Sequence, residues 1–257
     1  MRAIIIGLVL GFSVLGFAGQ NTDRGRDVPI LVELFTSEGC STCPPADAWL
    51  QYLDSTQPVP GAQLIVLSEH VDYWNRDDWK DPFSSAAFSN RQSAYVRALG
   101  LKTEFTPQIV VNGTVDLKRE DEQTVIQVFD QAARSPRVPV RITSTNLDVG
   151  KPSVLRATVE VEGAGADRNA TVYEVVALSH AESQVQRGEN KGKHLKHVAV
   201  VQSLTKIGKL EKGKRFVRET EVALTPGTDP RNIRLIVFVQ ESGQGKIVGA
   251  TQQVSMQ

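Results

Sequence analysis

ILVELFTSEGCSTCPP, residues Ile30 to Pro45, joins a hydrophobic run, a short loop, a Cys-x-x-Cys pair and two prolines. Ile30–Phe35 reads as a buried strand, and Pro44–Leu53 as a helix with proline in its first turn. Cys40 and Cys43 are the only cysteines among 257 residues. A strand that ends in Cys-x-x-Cys at the start of a helix aims the pair, and the helix N-terminus stabilises a thiolate there. The spacing puts Cys40 just before the helix as the attacking thiol. Cys43 falls inside the first turn, more buried, as the resolving thiol. Glu38 and Asp47 flank the pair, and their charge opposes the thiolate.

Outward from this segment, strands alternate with helices as far as Arg134. Gln63–Ser68 is a second buried strand, and Ser84–Leu99 a helix with Gly100 as its C-cap. Gln108–Val111 and Thr114–Leu117 form a hairpin around Asn112-Gly113. Asp121–Ala133 is a closing helix. This order predicts an α/β domain of the thioredoxin type over residues 28–135, with a helical insertion at about 70–100. The two prolines of Arg134–Pro139 mark a boundary. Beyond it, Val140–Thr145, Leu155–Val161, Thr171–Ser179, Arg215–Leu224, Ile233–Gln240 and Lys246–Gln252 read as strands. Their alternation predicts a separate antiparallel β-sandwich over residues 138–257.

Charge is balanced, with 29 basic and 29 acidic residues. That leaves no electrostatic footprint for nucleic acid or a membrane surface. At the N-terminus Arg2 precedes an uncharged, mostly aliphatic stretch, and Gly16-Phe17-Ala18 provides small residues before a cleavage point. Residues 1–19 therefore fit a secretory signal peptide, the rival being an uncleaved anchor. Sixteen residues from Ala3 to Ala18, three of them glycine, are short for a membrane span. Export implies a periplasmic or secreted protein with no membrane contact after cleavage, in a compartment where disulfides persist. A Cys-x-x-Cys bridge closes too small a loop to constrain the unfolded chain much, which weakens a purely structural role.

Thr106-Pro107 immediately precedes a strand, and proline in that position fits either a cis bond beside the dithiol or a routine strand start. Its exposed backbone would offer a docking edge for a partner's extended chain. His70 follows the second strand on the edge where the dithiol lies. It fits a proton acceptor, a metal ligand or a hydrogen-bonded structural residue. Tyr73, Trp74 and Trp79 form either an aromatic wall for substrate or the insertion's own core. Gln186–His197, rich in lysine, histidine and glycine, is either a solvated hairpin or a contact surface reaching towards the dithiol.

Residues Pro29–Pro44 resemble the active-site segment of thioredoxin, and Thr106-Pro107 falls where that superfamily carries its cis-proline. The resemblance implies that Glu33 is a buried carboxylate assisting proton transfer from Cys43. Gly39, Ser41, Thr42 and Pro44 depart from the thioredoxin pattern, and the loop from Glu33 to Cys40 is one residue longer. ELFTSEGCSTCPPAD, HVDYW, WKDPFSSAAFSNRQSAY, TPQIVVNG and RGENKGKHLKHVAVVQSL look like the secreted, thioredoxin-like domain-of-unknown-function 1223 family. That resemblance covers most of the chain and leaves the reaction open.

Three functions fit these residues. The first is an exported thiol–disulfide oxidoreductase acting on protein or small-molecule disulfides through Cys40 and Cys43, without a further cofactor. The second is a periplasmic copper- or zinc-binding protein using the cysteines and His70. The third is a binding module in which the dithiol plays no catalytic part.

Overall fold

The computed structural model describes residues 27–75, 79–118, 122–135, 137–150, 152–163 and 169–254. Residues 1–19, which the sequence reading assigns to a signal peptide, lie outside the described residues. The first half contains β1 (Val28–Thr36), α1 (Pro44–Thr56), β2 (Ala62–His70), α2 (Ala86–Ala98), β3 (Gln108–Val111), β4 (Val115–Asp116) and α3 (Glu122–Ala133). The second contains β5 (Val140–Asp148), β6 (Val154–Val161), β7 (Ala170–Gln184), β8 (His194–Leu210), β9 (Phe216–Ala223), β10 (Ile233–Glu241) and β11 (Ile247–Val254). Among the described residues no helix is long and apolar enough to cross a membrane.

The expected architecture, a thioredoxin-like α/β domain followed by a β-sandwich, is not the one observed. One eight-stranded mixed sheet runs in the order β11-β10-β7-β8-β2-β1-β3-β4, and β5-β6-β9 forms a second, three-stranded sheet. The two halves of the chain therefore share a sheet instead of each closing its own. The join is the contact between β8 and β2, a parallel bridge at Ser68 and Val200. β8 is missing from the strands expected from the sequence, because lysine, histidine and glycine interrupt its apolar alternation. Its 17 residues pair along β7, 15 residues long, as an extended antiparallel hairpin. An alternating pattern tells that a strand has a buried face, but not which element covers it.

Both faces of the large sheet are covered near β1 and β2. Ile30, Val32 and Leu34 turn to one side, where they pack with Leu50 and Leu53 of α1 and Phe129 of α3. Leu31, Ile65 and Leu67 turn to the other, against Phe88 of α2 and Phe238 of β10. Each such fully buried side chain contributes about 1.5–3 kcal/mol. The three-stranded sheet covers the far end through Val159 and Val161, which pack with Val237 and Val239.

Local signals shape the remaining turns. Asn112 and Gly113, both at positive φ (46° and 73°), make the β3–β4 turn. A Cβ on Gly113 would also stand 2.6 Å from the Gly245 carbonyl, so the close approach of β10–β11 requires glycine as well. Ser85 caps α2 by accepting the Ala87 N–H at 3.2 Å. Because β1 and β2 run parallel, with Thr36 beside His70, both end on the same edge. The far end of the β7–β8 hairpin reaches that edge too.

Candidate functional site

Cys40 and Cys43 are joined as a disulfide with Cα atoms 5.4 Å apart. Cys43 is the N-cap of α1, and the Ala46 and Asp47 amides donate to its carbonyl. Pro44 takes the first helical position, where a missing N–H costs nothing. Ser41 and Thr42 between the cysteines are exposed, yet both cysteines have 0% exposure. The Thr42 hydroxyl lies 3.4 Å from Cys40 Sγ.

Trp74 binds the cysteine loop to the proline loop. A Cβ on Gly39 would stand 3.1 Å from the Trp74 carbonyl and 3.2 Å from its Cβ, so the indole residue's approach calls for glycine there. Trp74 Nε1 donates to Thr106 Oγ1 at 2.7 Å, and the Thr106-Pro107 bond is cis. Trp79 Nε1 donates to Glu38 Oε2 at 3.0 Å. Tyr73 sits outermost, 39% exposed, with its hydroxyl donating to Gln92. The aromatic residues thus frame the cysteine loop and brace it at once.

Beside the disulfide lies a buried cluster of ionisable groups drawn from five segments. His70 Nδ1 is 2.7 Å from Asp81 Oδ2, while its Nε2 has no hydrogen-bond partner. Asp81 also accepts the Glu38 amide at 2.8 Å and the Phe83 amide at 2.9 Å. Burial works against its ionisation, but His70 and these amides hold its carboxyl below the usual range. His197 of β8 stacks edge-to-face on His70, with ring centroids 4.7 Å apart. Its Nδ1 is 3.5 Å from Asp47 Oδ1 and its Nε2 3.6 Å from Glu38 Oε1, ion-pair distances too long for good hydrogen bonds. Burial pushes its pKa down, but Asp47 and Glu38 more than reverse this and hold it up at about 9. His197 is therefore an imidazolium at neutral pH, and it offsets part of the carboxylate charge that Glu38 and Asp47 place beside the dithiol.

The tip of the β7–β8 hairpin closes the site. Asn190, 0% exposed, donates from Nδ2 to the carbonyl oxygens of Glu38 at 2.8 Å and Cys40 at 2.9 Å. Glu189 Oε2 accepts the Ser41 N–H at 3.1 Å. Ser183 of β7 donates to Glu38 Oε1. Of the two uses open to Gln186–His197, contact with the dithiol loop is the one observed.

Cys40, Cys43, His70 and Thr106-Pro107 thus gather at one edge, with Trp74 linking the proline to the cysteine loop. Glu33 is placed elsewhere. It projects from β1 to the α2 side of the sheet, where Arg91 Nε donates to Oε1 at 2.6 Å and the Tyr95 hydroxyl to Oε2 at 2.5 Å. Both of its oxygens are held on the face opposite α1. Among the described residues no group of three or more His, Cys, Asp or Glu side chains is arranged to hold a metal ion. Asp81 goes beyond the residues expected from sequence, and His197 and Asn190 lie within Gln186–His197 but are not singled out there. Asp81 had a local signal in its closeness to His70, whereas His197 and Asn190 are joined to the cysteines only by the long-range pairing of β8.

The fold is similar to that of protein AGR_C_4864 from Agrobacterium tumefaciens, at a TM-score of 0.67 and 24% identity, covering 90% of this chain and 96% of that one. It is also similar to HBP35 of Porphyromonas gingivalis, at a TM-score of 0.63 and 14% identity, covering 89% of this chain and 76% of that one. At these identities the likeness concerns fold alone. No curated protein matches the chain. A model of the family described as "Protein of unknown function (DUF1223)" matches residues 31–240, which take in the cysteine loop, the histidine cluster and the covering hairpin, and the chain belongs to that family.

Proposed function

We propose that this protein is an exported thiol–disulfide oxidoreductase. The observation that carries the reading is the Cys40–Cys43 disulfide, set between the end of β1 and the first turn of α1. From the oxidised form, a partner thiolate attacks Cys40 Sγ. The Cys40–Cys43 bond breaks as a partner–Cys40 bond forms, and Cys43 leaves as a thiolate. A second partner thiolate then attacks the partner sulfur of the mixed disulfide and releases Cys40. The partner loses two electrons and two protons, and both cysteines become thiols. Run backwards, the same steps reduce a partner disulfide.

The N-terminus of α1 favours thiolate, and Glu38 and Asp47 disfavour it. The charge on His197 moderates the latter. Thr106-Pro107, fastened through Trp74, is the docking edge in this reading. The signal-like residues 1–19 support a periplasmic or secreted setting, where an oxidised pair persists.

Replacing Cys43 by Ser removes the resolving sulfur and leaves Cys40 to hold mixed disulfides. Expressed with its leader, the C43S variant is expected to accumulate covalent adducts that reductant releases, and these should vanish in C40S/C43S. An absence of thiol-dependent adducts in C43S defeats the proposal.

A further inference from the structure

A disulfide offered to every thiol would be exposed, and this one is not. Both cysteines are wholly buried, and a hairpin tip is fastened to the loop that holds them. Asn190 supplies two donors to Glu38 and Cys40 carbonyls, and Glu189 supplies one acceptor to the Ser41 amide. The turn carrying them is compact. The Lys191 amide donates to the Gly188 carbonyl, and Gly192 to that of Val185. Gly188 and Gly192 take positive φ, 74° and 82°. The tip can therefore move as one piece about the ends of β7 and β8, breaking few bonds other than those to the cysteine loop.

We infer that Asn190 is a specificity-determining residue, which confines the dithiol to polypeptide partners. The inference rests on the oxidoreductase reading and names its substrate class. Lifting the tip leaves the Glu38 carbonyl and the Ser41 N–H without the partners the tip supplied, and the Cys40 carbonyl with the Cys43 amide alone. An extended peptide carries N–H donors and C=O acceptors at the spacing of a strand and replaces what Asn190 and Glu189 gave up. A small thiol replaces none of them and must react during unassisted opening. The closed tip thus sets a barrier that a polypeptide partner lowers by binding.

The test compares the reduction rate of the wild-type disulfide by mercaptoethanol with that by a synthetic extended peptide bearing one cysteine, each corrected for thiolate fraction. The wild type should favour the peptide by about tenfold or more. Asn190→Ala should accelerate mercaptoethanol by roughly tenfold to a hundredfold and the peptide much less, so that the preference collapses. An unchanged preference in a folded N190A protein overturns the inference. Should N190A fail to fold, the wild type alone decides. Its reduction by mercaptoethanol should level off at the rate at which the Ser41 amide, held by the closed tip, opens to hydrogen exchange. A rate that keeps climbing past that opening overturns the inference. Mercaptoethanol and the peptide need no physiological partner, so gated reduction without adducts in C43S would sink the oxidoreductase reading and leave the gate standing.

Discussion

Two buried ionic clusters lie on opposite faces of the same sheet, one built around a well-paired arginine and the other around under-paired imidazoles. On the α2 face, the Arg91 guanidinium donates to Glu33, to the Tyr95 hydroxyl at 3.0 Å and to Gln240 at 3.3 Å. The Tyr95, Tyr173 and Phe238 rings surround it, with centroids 5.0–5.4 Å away. Tyr95 in turn donates to Glu33 and accepts from Gln240. On the dithiol edge, His70 Nε2 and both nitrogens of His197 lack hydrogen-bond partners although they are buried. Desolvating a polar group without pairing it costs about 1–3 kcal/mol. On the α2 face the buried Glu69 carboxylate, 3.6 Å from Arg91 Nε, also lacks a hydrogen-bond partner for either oxygen, so what sets the dithiol edge apart is under-paired imidazole beside a disulfide. The cluster built on Arg91 reads as framework, and the one built on imidazoles as the place able to exchange protons.

The hardest way to break this contrast is at Arg91. Arg91→Ala leaves Glu33 and the neighbouring Glu69 buried without their cation, with Tyr95 still donating to Glu33, and breaking a buried ion pair from one side costs about 3–5 kcal/mol. Urea denaturation at neutral pH should show a loss of that size. Arg91→Lys should recover only part of it, because an ammonium cannot repeat the planar fork that meets Glu33, Tyr95 and Gln240 together. If R91A unfolds at nearly the wild-type midpoint, the framework role is wrong.

His197 should act through pH. Its folded pKa of about 9 stands above the unfolded value of ~6.5, because Glu38 and Asp47 favour its charged form against the cost of burial. The folded state therefore binds the extra proton more tightly. The resulting stability is complete below about pH 6.5 and is lost as pH rises through about 9, with at most about 3 kcal/mol at stake. His197→Gln should flatten that decline. A wild-type stability curve with no fall between these limits would remove the charge from His197, and with it the compensation for Glu38 and Asp47.

The parts legible in sequence are those whose causes are local. β1, the Cys-x-x-Cys loop and Pro44 announce themselves within one short run, since hydrophobicity, turn chemistry and helix start all fall in sequence order. Asn112-Gly113 does the same for the β3–β4 turn. The sandwich expectation failed at β8, whose His194, Lys196 and His197 read as part of a solvated hairpin or a contact surface and not as a strand. In the fold His197 is buried under the dithiol edge, while Lys196 remains at the surface. A histidine's burial depends on what closes over it, and here that is Glu38 and Asp47 from about 150 residues earlier. Glu33 was legible as a buried carboxylate but not as a partner of Arg91, because period-two alternation does not say which face α2 will cover.

The smallest expected effect isolates burial from distance. His194 Nε2 lies 3.0 Å from Glu182 Oε2, a shorter pairing than either contact of His197, and it sits on the same hairpin. Both partners are about half exposed, so water and salt screen the attraction. Glu182→Gln should leave the urea midpoint and its pH profile unchanged within error, while His197→Gln changes the profile's slope. Equal responses from the two variants would mean that proximity alone sets the histidine energetics of this hairpin. A response confined to His197 would assign the effect to its enclosure by Glu38, Asp47 and His70, the same enclosure that the hairpin tip completes over the disulfide.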